Sequence, residues 1–182
     1  MKRVIARCNR PLIMGILNVT PDSFFDGGKH NTIEEAVKHA LLMVDDGANI
    51  IDVGGESTRP FSEPVSVEVE LERVIPVIEG IRSKSYIPIS SDTSKAKVAK
   101  EACKVGADIV NDISGFTFDE YMVDTVSKAG VQAVIMHTKG TPKNMQNNPF
   151  YENVISEITE FFKERIAFAD RHGIEKDRII LD

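Results

Sequence analysis

Apolar residues along this chain collect in short runs that alternate with stretches of helical spacing. P-L-I-M-G-I-L-N-V (11–19), I-I-D-V-G-G (50–55), I-P-I-S-S-D (87–92), D-I-V-N-D-I (108–113), Q-A-V-I-M-H (132–137) and R-I-I-L-D (178–182) each read as a strand. Between them, apolar positions recur at helical intervals. The series are Ile33, Val37, Leu41 and Val44, then Val67, Leu71, Val74 and Ile78, then Val98, Ala102 and Val105. Met122 and Val126, then Ile155, Ile158, Phe162 and Ile166, continue the pattern. This spacing predicts amphipathic helices. D-G-A after the first and V-G-A after the third are helix stops with glycine at the C′ position.

No hairpin dipeptide joins the strands, so the alternation predicts parallel βαβ units, either doubly wound or closed as a barrel. Polar residues end almost every strand: Asn18, Asp52 with Glu56, Asp92, Asn111, His137 and Asp182. A doubly wound sheet forms its crevice at one switch point, whereas a barrel gathers all its strand ends around a single mouth. Six contributing strands favour the barrel. The expected fold class is therefore α/β, a TIM (β/α)8 barrel with about the first six βα units in this chain. A full barrel takes about 250 residues, so about two βα units are expected beyond Asp182. An open six-stranded domain is the alternative, with edges that another chain would have to cover. Residues 1–10 read as an N-terminal segment and 11–182 as one barrel domain.

Composition narrows the class. With 42% hydrophobic and 27% charged residues, the chain reads as an ordinary globular protein. A formal net charge of -6 and the lack of a Lys/Arg stripe argue against a nucleic-acid partner. Cys8 and Cys103 lie far apart without CxxC spacing, which indicates neither a disulfide framework nor a zinc site. No apolar run approaches a membrane span, and M-K-R-V-I-A-R-C-N-R lacks the apolar core of a signal peptide, so a cytoplasmic location is expected. No strand is followed by a GxGxxG or P-loop pattern.

Five motifs carry candidate chemistry: N-V-T-P-D-S-F-F-D-G-G (18–28), I-D-V-G-G-E-S-T-R-P (51–60), S-D-T (91–93), N-D-I-S-G (111–115) and M-H-T-K-G-T-P (136–142). Together they resemble the dihydropteroate synthase family, from about Pro11 to the last residue. The resemblance implies a TIM barrel and a transferase of folate biosynthesis. Such an enzyme joins para-aminobenzoate to 7,8-dihydropterin-6-ylmethyl diphosphate, giving 7,8-dihydropteroate and pyrophosphate. A homodimer and competition by sulfonamides are implied in the same way.

A dihydropterin presents donors and acceptors along its pyrimidine edge, so a deep site for it needs carboxylates and an amide. The resemblance gives this role to Asp92, Asn111 and Asp182, with Asp182 on the amino-pyrimidine edge. Met136 is expected as a pocket wall, thioethers packing well on flat rings, and Ile113 is implied as a substrate-binding residue. Asn18 is implied as a ligand of Mg²⁺ beside the diphosphate, in keeping with a hard cation that takes few protein oxygens. Thr58, Arg59 and Asp26 lie on loops implied to fold over para-aminobenzoate. Departure of pyrophosphate leaves positive charge on the methylene in an SN1-like step, and Asp26, oriented by Arg59, would stabilise it. Phe24 and Phe25 with Gly27, Gly28, Gly54 and Gly55 suit a lid.

Each residue has a plainer use. Asp or Asn at a strand end caps helices and forms turns, and Asp26 with Arg59 could be a solvated pair. The attacking aniline is nucleophilic when neutral, so His137 is expected in a structural or weak binding role rather than as a base. Lys95 and Lys97 are expected on a solvated helix face. Phe25, Phe61 and Thr138-Lys139 depart from the family pattern. A pterin-binding Lys, and an Arg and His for the diphosphate, are implied beyond Asp182, and without them the chain is expected to be inactive by itself. The alternatives are a methyltransferase domain that holds methyltetrahydrofolate, which needs neither long loop, and a non-catalytic truncated pterin-binding paralogue.

Overall fold

β-branched runs make the strands and the spaced apolar positions make the helices. The computed structural model describes residues 10–20, 29–57, 62–141, 143, 145 and 148–182. The elements alternate as β1 (Met14–Asn18), α1 (Lys29–Asp45), β2 (Ile50–Gly54), α2 (Val67–Arg82), β3 (Ile89–Asp92) and α3 (Ala96–Lys104). They continue with β4 (Ile109–Asp112), α4 (Met122–Ala129), β5 (Gln132–Ile135), α5 (Val154–Arg171) and β6 (Ile179–Leu181). All five neighbouring strand pairs are parallel, and the six strands stand in chain order. A doubly wound sheet would reverse this order at a switch point; winding in one direction is that of a (β/α) barrel.

Alternate residues of each strand meet different surroundings. On the outer face, Leu17, Ile51, Val53 and Ile89 pack under Val37 and Ala40 of α1 and Val74, Val77 and Ile78 of α2. Val110, Ala133 and Ile135 pack under Ala99, Met122, Val126 and Ala169. On the inner face, Ile50, Ile109 and Val134 form a separate small cluster with Leu12, Met14 and Ile180. This inner cluster borders the polar strand ends, with Val134 in register beside Asn111.

Local signals account for the helix ends. Ser66 caps α2 by accepting from the Val69 N–H at 3.3 Å, with Glu68 and Glu70 in the first turn, where acidic groups suit the helix dipole. Asn153 caps α5 by accepting from the Ser156 N–H at 3.0 Å. The two predicted stops, Gly47 and Gly106, have φ of 107° and 117°, a region that side chains resist. At the N-terminal end of the sheet, Arg82 pairs with Asp108 at 2.7 Å and donates to the Gly106 and Ile87 carbonyls. Buried Arg178 donates to the carbonyls of Val126 and Val131. These arginines tie α2 and the turn before β6 to neighbouring units on the face opposite the mouth.

Two helix faces differ from the sequence pattern. In α2 the buried stripe is Glu70, Val74, Val77, Ile78 and Ile81, with Val67 and Leu71 only half-buried. In α5, Ile155 is 74% exposed, Ile158, Phe162 and Ile166 are half-buried, and Ala169 alone is buried. The packed side of α5 is made by Phe161, Phe162, Phe168 and Ala169 against the second cluster. Periodicity marks which residues share a face; the element opposite decides how far that face is covered. Half-buried Cys103 is free, its thiol pushed up to about 11 by desolvation and the nearby Asp108, so it is poorly reactive. Cys8 lies outside the described residues. No described helix is long and apolar enough to cross a membrane.

Candidate active site

Parallel register sets the strand ends level. Asn18 stands beside Gly54, Gly54 beside Asp92, and Asp92 beside Asn111. Three of the predicted polar residues thus form one row across four strands. Gly54 leaves this row open: a Cβ there would lie 3.3 Å from Asp92 Oδ2, so the missing side chain makes space for the carboxyl. Two residues earlier on β2 is Asp52, 3% exposed, which accepts from Asn111 Nδ2 at 3.2 Å across β3. That bond places Asp52 and Asn111 on the same, inner, face.

The site is rich in acids. Burial, followed by the charges of Asp52, Glu70, Asp112 and Glu56, pushes the Asp92 carboxyl up to about 8. At neutral pH this group is mostly protonated, and a protonated carboxyl both donates and accepts a hydrogen bond. Burial also raises Asp52, with Ser90 and Asn111 hydrogen bonding pulling the other way. The Asn111 bond is the one formed in the structure; Asp52 Oδ1 and Ser90 Oγ are buried without a partner among the described residues. Asp112 is raised mainly by burial and points away from the row. It accepts from the Ser114 and Phe116 N–H groups, both at 2.9 Å, and so shapes the N-D-I-S-G turn, in which Phe116 has φ of 67°.

The other predicted residues fall around this row. Half-buried Ile113 lines a cleft of about 500 Å³ with Glu56, Lys95, Phe118 and Tyr121. Met136 is half-buried just past β5, its N–H donating to the Asp112 carbonyl at 3.4 Å. Asp182, exposed after β6, shares the strand face of Ile180; its N–H donates to Ile135 and its carbonyl accepts from the His137 N–H. The His137 ring packs edge-on against Phe161 at 4.9 Å and lies 5.9 Å from Tyr151, the packing of a wall residue. Asp26, Thr58 and Arg59, and with them Phe24, Phe25, Gly27, Gly28 and Phe61, lie outside the described residues.

Lys95 is not on a solvated face. Its ammonium is held between Glu56 and Glu70, the latter 1% exposed, while Glu56 Oε2 also accepts the Val65 N–H at 2.9 Å. Desolvation pulls the Lys95 pKa down, but the bonds to Glu56 and Glu70 hold it above its ordinary value. The triad ties the start of α3 to α2 and to both sides of the connection after β2. Lys97, two residues on, is exposed and pairs at 3.4 Å with exposed Glu68, as expected of a solvated lysine. Chain spacing gives no sign of this difference, because the partners of Lys95 lie 39 and 25 residues away. Asp52, by contrast, had a legible signal in an acid set inside the otherwise apolar run I-I-D-V-G.

Comparisons with known proteins agree with this geometry. The family described as Pterin binding enzyme matches residues 14–182. Dihydropteroate synthase of Escherichia coli K12 is 50% identical over 174 residues, covering 96% of this chain and 61% of the relative. Among solved structures, Xanthomonas albilineans dihydropteroate synthase with 4-aminobenzoic acid superposes with a TM-score of 0.87 at 44% identity, covering 96% of this chain and 61% of that one. Yersinia pestis dihydropteroate synthase in a sulfonamide drug complex gives 0.88 at 44% identity, covering 95% and 62%. The chain thus spans about 61% of the length of the curated relative it matches. With that family match over nearly all of its described strands and helices, and with acid and amide groups at the strand ends, the chain belongs to the pterin binding enzyme family.

Proposed function

We propose that this protein is a dihydropteroate synthase, a transferase that condenses para-aminobenzoate with 7,8-dihydropterin-6-ylmethyl diphosphate. The observation that carries this reading is the inner-face row of Asp92 and Asn111, a mostly protonated carboxyl beside a carboxamide. Such a pair suits the mixed donors and acceptors of a pterin edge. Asp182 extends the set from β6, and Ile113 and Met136 supply walls. Relatives solved with 4-aminobenzoic acid and with a sulfonamide support the second substrate and its competitor. Residues 11–182 act as one pterin-binding unit in this reading, in a cytoplasmic homodimer.

In the reaction the methylene C–O bond breaks and its electron pair leaves with pyrophosphate. The amine lone pair of para-aminobenzoate then forms the C–N bond, and the amine loses a proton to water. Asp26, oriented by Arg59, stabilises positive charge developing on the methylene, and Thr58 with Arg59 binds para-aminobenzoate. Among the described residues no group of three or more His, Cys, Asp or Glu could hold a metal ion. Asn18, exposed at the end of β1, fits a cation that takes one protein oxygen and the remainder from diphosphate and water. Mg²⁺ bound there would neutralise charge on the leaving diphosphate.

The test is release of pyrophosphate from dihydropterin diphosphate, with Mg²⁺ and with and without para-aminobenzoate, by a purified protein that carries the Lys, Arg and His implied beyond Asp182. Release that requires para-aminobenzoate and is inhibited by a sulfonamide is expected. Pterin binding without such release would overturn the synthase reading.

A further inference from the structure

Asp52 has no part in the reaction outlined above, yet its burial demands an account. It is 3% exposed on the inner face of β2, between Ile50 and Gly54. A carboxyl taken out of water is costly unless its oxygens are met by donors. Here Oδ2 accepts from Asn111 at 3.2 Å, and Oδ1 is buried with no partner among the described residues. Leu or Asn would fill this position with less penalty if packing were its only task. The bond also has a direction. It consumes an N–H of the Asn111 carboxamide, which fixes the amide so that its oxygen is turned away from Asp52.

We propose that Asp52 is a positioning residue of the pterin pocket: it holds Asn111 by its amide N–H, presents the amide oxygen to the bound heterocycle, and offers its own unpartnered oxygen to a ring or exocyclic N–H of that ligand, directly or through one water. The inference rests on the assignment of Asp92 and Asn111 to the pterin. It competes with an internal arrangement in which the Ser90 hydroxyl turns onto Asp52 Oδ1 and no ligand is involved.

Calorimetric titration of the purified protein with pteroic acid separates these. Asp52→Leu keeps the volume and removes both acceptors; Asp52→Asn keeps a carbonyl oxygen for Asn111. Asp52→Leu and Asn111→Ala are each expected to weaken binding about ten- to a hundredfold. The double variant should lose less than the product of the two single losses, since Asp52 acts in part through Asn111. Asp52→Asn should regain part of the affinity, since its carbonyl still holds Asn111 while its amide cannot accept from the ligand, and Ser90→Ala should stay within about twofold of the parent. Thermal unfolding of each variant keeps a folding defect apart from a binding one, and the Asp52→Asn result stands even if Asp52→Leu does not fold. An unchanged affinity in Asp52→Leu overturns the proposal, as do losses that multiply in the double variant or a Ser90→Ala loss equal to that of Asp52→Leu. An Asp52→Asn protein that folds but binds as weakly as Asn111→Ala overturns it too. Failure of the parent to bind, or indifference to Asp92→Ala, would instead remove the pterin assignment itself.

Discussion

The two faces of the sheet are made by alternate residues of the same strands, and they have opposite character. Outward from β2 and β3 point Ile51, Val53 and Ile89, all buried beneath helices. Inward point Asp52, Ser90 and Asp92, beside Asn111 from β4. The outer face has a partner supplied by the chain itself, so burial there is favourable and complete. The inner face is polar at Asp52, Ser90, Asp92 and Asn111 and apolar at Ile50, Ile109 and Val134. In the proposed function, stability and binding are divided between the two sides of a single sheet, and substitutions on each side should have separable effects.

The largest effect on stability is expected on the outer face. Ile51→Ala should cost about 2–5 kcal/mol in urea unfolding, the usual range for a fully buried aliphatic truncation. A cost below about 1 kcal/mol would show that this face is not the principal core. Lys95→Met comes next. It leaves Glu70 buried without its cation and should cost up to about 3 kcal/mol, the low end for a broken buried pair because 20% of the Lys95 side chain still meets solvent.

On the inner face the sign should reverse. Asp92→Asn is expected to weaken pterin binding by about 1–3 kcal/mol in calorimetry without loss of stability. The folded Asp92 carboxyl keeps its proton to about pH 8, while the unfolded chain releases it near the ordinary value of 3.8. Between these values the native state holds more protons, so stability falls as pH rises and levels off above about pH 8. Asp92→Asn should remove that contribution, which unfolding curves across the same pH range would show. Equal slopes in parent and variant would refute the assignment. The smallest effect is expected at Lys97→Met, whose loose surface pair with Glu68 should leave the unfolding midpoint unchanged.

Much of this arrangement is legible in the sequence. The alternation of short apolar runs with helical spacing located all six strands, and the polar strand ends pointed to a mouth where Asn18, Asp92 and Asn111 do stand in register. Helix stops at Gly47 and Gly106 followed from backbone chemistry alone. Less legible was coverage. The Ile155 face of α5 has the right spacing but is open to solvent, since spacing says nothing about what lies opposite.

What the sequence by itself determined is therefore local: which segments are strands, which are helices, and which polar groups lie at strand ends. These follow from side-chain periodicity, propensity and capping, all of which act within a few residues. Tertiary structure decided the rest. It separated Lys95 from Lys97 by bringing Glu56 and Glu70 to one and not the other. It joined Asp52 to Asn111 across 59 residues of chain, and it raised Asp92 by burying it, and then by setting other acids around it. Electrostatics and desolvation act through space, so the chemistry of these groups appears only when the sheet has brought them together.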